Sequence, residues 1–394
     1  MNTVKMEEKK IPRSLILLLA VSCGLIVANL YYSQPLVGPI REATGISAGL
    51  SGLIVTMTQL GYAAGLLFLV PLSDLMENRR LTISILFIAI IGLVVAPMAK
   101  NTGLFFVAAI LIGIGSVAAQ VLVPFAAHLA SPKERGKAIG NVMSGLLLGI
   151  MLARPTSSLI TGYLGWKAVF YLSAVIMIVL VIVLNKLLPK RNPNPTDSYQ
   201  SILISLWHLI SSIPLLRRRA FYQAALFGSF SLFWTVVPLY LSQHFNLNQK
   251  EIALFGFAGV AGAVAAPIAG RLADRGYSRV LTGIAFFLAA CSFALTHVFT
   301  GNKEVSLFLF CAAAILLDMA VSGNLVLGQQ AIYSLGDEIR GRVNGLFMAV
   351  FFLGGAAGSA LGGWAYAQGS WNLASILGLS LPVFAFLYYL KEKK

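Results

Sequence analysis

The segment RGKAIGNVMSGLLLG, residues 135–149, returns as RGRVNGLFMAVFFLG at residues 340–354, a constant offset of 205 positions. The same offset relates Trp166 to Trp371. Each copy opens with Arg-Gly and continues into an apolar stretch that contains small residues, which allow membrane helices to approach one another closely. The chain therefore contains two copies of one helical unit.

A second pair of segments supports this internal repeat. PLSDLMENRR, residues 71–80, corresponds to GRLADRGYSR, residues 270–279, so Asp74 and Asp274 occupy equivalent loops at an offset of 200 positions. Parallel repeats of this kind occur in transporters that rock one half of the molecule against the other.

The composition identifies lipid as the main solvent of this protein. Hydrophobic residues make up 58% of the chain and charged residues only 11%, whereas about a quarter of a soluble domain is charged. Windows of about 20 residues, the length that crosses a bilayer, reveal twelve apolar stretches. They begin near Ser14, Ala48, Leu81, Gly103, Ala138, Trp166, Ala220, Ile252, Val280, Val305, Val343 and Trp371. Continuous apolar runs exclude an outer-membrane β-barrel. The predicted fold is an all-α integral membrane protein with twelve transmembrane helices in two six-helix halves.

The longest polar connection separates the two halves. It starts with PKRNPNPTDS at Pro189 and ends at three consecutive arginines, residues 217–219. Within it, apolar residues repeat at helical spacing, which is typical of a helix lying on the membrane surface: Ile202, Leu206, Leu209 and Ile213. We predict an N-terminal half at residues 1–188, a cytoplasmic linker with this interfacial helix at 189–219, and a C-terminal half at 220–394.

The placement of the basic residues predicts the orientation. The formal charge is +15, and 23 of the 29 basic residues fall in alternate connections or at the termini. By the positive-inside rule, both termini are cytoplasmic and the chain lies in the bacterial cytoplasmic membrane. Because these charges are dispersed over many short segments, nucleic-acid binding is excluded. The three cysteines fall inside spans and the four histidines lack ligand spacing, so neither a disulfide framework nor a metal site is expected.

Two ionisable side chains lie deep within predicted spans, where charge is costly and usually functional. Arg154 falls in the outer third of the fifth span, and Asp318 falls near the middle of the tenth. We predict that they couple transport to protons or form a central charge site. Two alternatives remain: Arg154 can snorkel to the outer interface, and Asp318 can belong to a structural buried pair.

The chain resembles the major facilitator superfamily, whose loop signature after the second helix is Gly-x-Leu-x-Asp-Arg followed by basic residues. The C-terminal copy matches at Gly270, Leu272, Asp274 and Arg275; the N-terminal copy keeps Leu72, Asp74, Arg79 and Arg80 but has Val70 and Leu75 at two signature positions. The resemblance implies a cytoplasmic gate formed by Asp74, Arg79, Arg80, Gly270, Asp274 and Arg275. The alternative is that these residues only order solvated turns. ANLYYSQPLVGPI, residues 28–40, is similar to the branch of sugar-efflux-type and drug-efflux-type permeases.

In this superfamily the first, fourth, seventh and tenth helices line the central cavity. The resemblance therefore implies a substrate cavity lined by Asn29, Tyr32, Ser33, Gln120, Gln223, Phe230 and Trp234, with Ser322 and Gln329 on the Asp318 side of the tenth helix. The alternative for each residue is interhelical hydrogen bonding or core packing.

We expect a secondary active transporter that works by alternating access, as a proton-coupled antiporter exporting small amphipathic molecules, drugs or metabolites. The proton gradient supplies the energy, no cofactor is needed, and the protein is a monomer without enzymatic activity. The Arg typical of the fourth helix in proton antiporters is absent near Ala109. A proton symporter or facilitator for sugar-like solutes therefore remains an alternative, and a non-transporting membrane sensor is a remote one.

Overall fold

A computed structural model describes residues 12–131, 134–193, 198–262, 264–298, 301–336 and 339–392. Helices and the turns between them make up these residues, and no strand occurs among them. The predicted all-α fold class is confirmed. The extreme termini, for which the sequence predicts a cytoplasmic location, lie outside the described residues.

Twelve spans follow one another along the described chain, as predicted. The first six are Arg13–Ala28, Ala48–Asp74, Asn78–Met98, Thr102–Leu129, Arg135–Leu164 and Trp166–Leu187. The last six are Pro214–Phe245, Gln249–Asp274, Ser278–Leu295, Lys303–Tyr333 and the two parts of Arg340–Leu390, residues 340–368 and 371–390. All except Arg13–Ala28 belong to helices long and apolar enough to cross a membrane. That first helix has 16 residues, and the chain continues beyond it through a 3₁₀ turn at Gln34–Leu36 and a short α-helix at Val37–Thr44.

A two-residue break separates the eleventh and twelfth spans. Gly369 has φ −138° and ψ 21°, and Ser370 has φ 55° and ψ −154°, so neither residue is helical. A positive φ is uncommon for a residue that carries a side chain. Trp371 then begins the twelfth span, where its indole N–H donates to the Thr296 hydroxyl at 3.0 Å.

A helix at Tyr199–Ser212 lies between the sixth and seventh spans. Its first turn is capped by the Ser198 hydroxyl, which accepts from the Ser201 N–H at 3.2 Å. Leu206 is buried against the apolar ends of the seventh and eleventh spans and Ile202 is also buried, while Trp207 on another face is 76% exposed. The helix therefore packs one apolar face on the bundle; its location at the membrane surface stays a prediction.

The two halves touch most extensively along two pairs of spans. The second span meets the eleventh, where the hydroxyls of Thr56 and Ser359 lie 2.8 Å apart. The fifth span meets the eighth, where the Ser158 hydroxyl donates to the Gln249 carbonyl at 2.8 Å. The connections that carry Arg79, Arg80 and residues 217–219 define one end of the bundle, here named the basic end. The fifth and eighth spans touch near the other end, named the opposite end.

The fifth span has open space beside it at the basic end. A Cβ built on Gly136 or Gly140 would have no atom within 4 Å, and Lys137 and Asn141 are exposed. The same openness occurs at Gly341 in the equivalent part of the eleventh span. The halves are therefore packed together near the opposite end and leave the fifth span uncovered at the basic end.

Candidate functional site

The two deeply placed ionisable residues form an ion pair between the halves. Arg154 of the fifth span and Asp318 of the tenth span approach to 3.3 Å between Nη2 and Oδ1, and both side chains are buried. Arg154 therefore does not snorkel to an interface. A buried pair of this kind loses hydration on both partners, so its other hydrogen bonds decide whether it is stable.

Two aromatic residues of the seventh span complete the cluster. The Trp234 indole N–H donates to the second carboxylate oxygen of Asp318 at 2.9 Å. The guanidinium carbon of Arg154 lies 3.9 Å from the centre of the Trp234 ring and 5.0 Å from the Phe230 ring. Such cation–π contacts stabilise a guanidinium that has been removed from water. We name these four residues, Arg154, Phe230, Trp234 and Asp318, the charge cluster.

The eighth span covers the charge cluster with glycines. A Cβ on Gly259 would lie 3.2 Å from both Arg154 Nη2 and Asp318 Oδ1, and a Cβ on Gly262 would overlap the Asp318 Cβ. Only a residue without a side chain lets the eighth span approach the ion pair this closely. Our sequence analysis did not single out these glycines, although their spacing in GFAGVAG, residues 256–262, is typical of close helix packing.

Arg154 keeps hydrogen-bonding capacity. Its Nε and Nη1 are buried and have no hydrogen-bond partner within the described part of the chain. A buried donor without a partner costs free energy, so an incoming acceptor at this position would be stabilised. The cluster thus combines a fixed cation with unused donors, a carboxylate and two aromatic faces.

Several polar residues predicted to line the cavity are bonded to neighbouring spans. Asn29 accepts from the Ser173 hydroxyl of the sixth span, and the Gln120 amide donates to the Tyr62 hydroxyl of the second span at 2.9 Å. Both bonds lie inside the N-terminal half. They match the alternative of interhelical hydrogen bonding.

The same applies to two glutamines of the C-terminal half. Gln223 accepts from the Asn324 amide of the tenth span at 2.8 Å, and Asn324 is a polar residue that the sequence analysis missed. Gln329 lies nearer the basic end and donates to Asn344 of the eleventh span at 3.2 Å. These bonds join the seventh, tenth and eleventh spans to one another.

Three further predicted residues lie elsewhere. Ser33 is buried, and its hydroxyl has no partner among the described residues. Tyr32 lines a groove of about 970 Å³ between the first, fifth and sixth spans, and Ser322 is half-buried on the tenth span. The structure therefore brings Phe230 and Trp234 to the ion pair and distributes the other candidates over the bundle.

The predicted gate residues make contacts within their own halves. Arg79 donates to the Asn185 carbonyl at the end of the sixth span at 3.0 Å, whereas Asp74 is exposed. Asp274 accepts from the Gln330 amide of the tenth span at 2.8 Å. Neither aspartate forms an ion pair among the described residues.

The other gate residues also lie at the basic end, Arg80 on the third span and Gly270 and Arg275 at the end of the eighth. Arg80 and Arg275 are exposed, and a Cβ on Gly270 would meet Val326 at 3.5 Å, which is ordinary contact. No group of three or more His, Cys, Asp or Glu residues in the described ranges is arranged to hold a metal ion.

Comparison with known proteins agrees with this architecture. The sequence model described as Major Facilitator Superfamily matches residues 17–305 and 219–394. Transporter YgaY of Escherichia coli O157:H7 is 37% identical over 377 residues, which cover 95% of each chain. The purine ribonucleoside efflux pump NepI of Salmonella paratyphi A is 24% identical over 369 residues, covering 91% of this chain and 88% of that protein.

A solved structure has the same fold. It is the bacterial homolog of the human lysosomal transporter Spinster in an inward-facing, occupied conformation, with a TM-score of 0.76, 16% identity and 96% coverage of each chain. The family match extends over both six-helix halves, and the relative at 37% identity spans almost the whole length. This protein therefore belongs to the major facilitator superfamily and is a transporter of that type.

Proposed function

We propose that this transporter is a proton-coupled exporter that works by alternating access. The observation that carries the proposal is the Arg154–Asp318 pair, which joins the fifth span of one half to the tenth span of the other. It lies where the halves are packed together, so opening the opposite end must separate or rearrange the two charges.

Protonation of Asp318 would link the proton to this movement. When Asp318 is ionised, its separation from Arg154 leaves two uncompensated charges in a buried site, which costs several kcal/mol. A proton on Asp318 neutralises one of the two charges and lowers that cost. The proton would then favour the open form at the opposite end, and its release would favour the packed form described here.

The energetics are sufficient for export. One proton that moves down a potential of about 100 mV releases about 2.3 kcal/mol. When coupled to one substrate molecule, this free energy sustains a concentration ratio of roughly fifty. With the basic end in the cytoplasm of a bacterial inner membrane, as the positive-inside rule predicts, the structure corresponds to an inward-facing state that would load substrate from the cell interior.

The charge cluster suits a small amphipathic substrate that carries a planar ring and a polar edge. Phe230 and Trp234 offer aromatic faces, and Arg154 offers unused donors. The amides of Asn29 and Gln120 are bonded to neighbouring spans. This arrangement favours such compounds over sugar-like solutes as substrates. Because NepI is named as a purine ribonucleoside efflux pump, nucleosides belong among the first candidates.

The test uses purified protein in sealed vesicles that contain a pH-sensitive dye. After a proton gradient is imposed, nucleosides, drugs and sugars are added to wild type, Asp318→Asn and the matched control Glu304→Gln. Glu304 lies on the same span but is exposed in its first turn. We expect one compound to release protons with wild type and the control but not with Asp318→Asn. Substrate movement without proton movement, or full coupling in Asp318→Asn, would refute the proposal.

A further inference from the structure

A second polar cavity lies at the basic end, away from the charge cluster. It has a volume of about 470 Å³ and lies between the start of the third span and the end of the sixth. Its lining residues are Glu77, Arg79, Arg80, Ile83, Ser84, Asn185, Lys190 and Asn192. The cavity thus contains three cations against one carboxylate, together with hydroxyl and amide groups that bind phosphate oxygens.

The single acid does not neutralise the cavity. Glu77 caps the third span by accepting from the Arg79 backbone N–H at 3.1 Å, and its carboxylate is 4.0 Å from Arg79 Nε. Arg79 also donates to the Asn185 carbonyl, which holds its side chain across the cavity. The side chains of Arg80 and Lys190 form neither an ion pair nor a hydrogen bond within the described ranges. Two cations therefore remain available to a ligand.

The surface above the cavity is apolar and exposed. On the third span, Phe87 and Ile91 lie one and two turns beyond Ser84 and are more than half exposed. On the sixth span, Ile182 and Ile178 lie about one and two turns before Asn185 and are also exposed. In a membrane, these side chains meet acyl chains. The cavity therefore lies at the headgroup level, directly below two lipid-facing helices.

We propose that this cavity binds the phosphodiester headgroup of an anionic phospholipid from the leaflet at the basic end. The phosphate contacts Arg79, Arg80 and Lys190, and the acyl chains follow the exposed face of the third and sixth spans. Basic pockets between transmembrane helices on the cytoplasmic side are suited to such headgroups. A soluble phosphate would use the same cations but would gain nothing from the apolar surface. The inference does not depend on the direction of transport.

In this interpretation, Arg79 and Arg80 serve lipid binding rather than the gate between the halves. Both residues lie at the start of the third span and line the cavity between it and the sixth span of the same half. Arg79 is hydrogen-bonded to the sixth span. A lipid held here would tie these two spans together at the membrane surface.

The test measures lipid adducts by native mass spectrometry of the full chain in detergent. Phosphatidylglycerol and phosphatidylcholine with identical acyl chains are titrated into wild type, Arg80→Gln/Lys190→Gln and Lys186→Gln/Lys391→Gln. The control Lys186→Gln/Lys391→Gln also removes two positive charges, but from exposed lysines at the basic end that do not line the cavity. A charge-preserving variant, Arg80→Lys/Lys190→Arg, tests whether charge alone suffices.

We expect wild type, the control and the charge-preserving variant to bind phosphatidylglycerol equally. Each surface cation contributes roughly fivefold in affinity, so Arg80→Gln/Lys190→Gln should bind at least about tenfold more weakly. Phosphatidylcholine binding should be the same in all four proteins. An equal loss in the control, or inorganic phosphate that competes with the lipid at similar concentration, would overturn the proposal.

Discussion

The guanidinium of Arg154 and the carboxylate of Asp318 lie 3.3 Å apart although 164 residues separate them along the chain. They belong to different halves of the molecule and meet where the halves are packed together. An ion pair in this position can respond both to a proton and to the relative movement of the halves.

The first prediction concerns the energetics of this pair. Arg154→Gln leaves the buried Asp318 carboxylate without its cation and should lower the free energy of unfolding by about 3–5 kcal/mol. The double variant Arg154→Gln/Asp318→Asn removes both charges and should recover more than half of that loss. Thermal unfolding in detergent measures both. Additive losses in the double variant would show that the two side chains do not interact.

The second prediction concerns the indole hydrogen bond. Trp234→Phe keeps an aromatic ring but removes the N–H that donates to Asp318. We expect reduced proton release per turnover and a modest fall in Tm, because the buried carboxylate loses one donor, whereas Trp234→Leu, which also removes the ring face beneath Arg154, should lower Tm further. The measurements are dye-reported proton flux and thermal unfolding. Wild-type proton flux in Trp234→Phe would argue against a role for the N–H.

The third prediction concerns the approach of the eighth span. Gly259→Ala places a methyl group 3.2 Å from both charged groups of the ion pair. Overpacking of this kind typically costs about 1–3 kcal/mol. The matched control is Gly103→Ala on the fourth span, where the nearest atom to the new Cβ is 3.6 Å away. A lower Tm and slower transport are expected only for Gly259→Ala, and equal effects in both variants would contradict the close contact.

The fourth prediction concerns alternating access. In a variant without Cys23, Cys291 and Cys311, cysteines at Ser158 and Gln249 should be cross-linked by oxidation, because these residues are hydrogen-bonded between the fifth and eighth spans. The cross-link should abolish transport, and reduction should restore it.

A matched pair inside one half provides the control. Cysteines at Asn29 and Ser173 join the first and sixth spans, whose separation need not change when the halves rock. Oxidation of this pair should leave more than half of the transport rate intact. Continued transport with the Ser158–Gln249 cross-link would exclude opening between the fifth and eighth spans as part of the cycle.

Much of the fold could be predicted because its signals are local. A span is apolar over about 20 consecutive residues, so hydropathy identifies it without knowledge of its neighbours. The repeat of residues 135–149 at 340–354 relates the two halves. Arg154 and Asp318 are recognisable because they are charged residues within apolar segments. These inferences required only neighbouring residues or an internal comparison.

The roles of individual polar residues were harder to predict, because they depend on which spans meet. The same amide can face a cavity or bond to an adjacent helix, and the sequence analysis left both alternatives open for Asn29, Gln120, Gln223 and Gln329. The structure places hydrogen-bond partners beside all four. The glycines at 259 and 262 were missed for the same reason, since the atoms that require them belong to other spans.

By itself, the sequence determined that the chain crosses a membrane twelve times in two related halves and carries two charges within its spans, because hydrophobicity, repetition and charge are properties of the chain read in order. Only the tertiary structure decided that these two charges form one pair against Trp234, and that Arg79 and Arg80 lie beside the sixth span in a basic cavity. Those relationships arise from packing between distant segments, and the distances between such segments are not encoded in any local pattern.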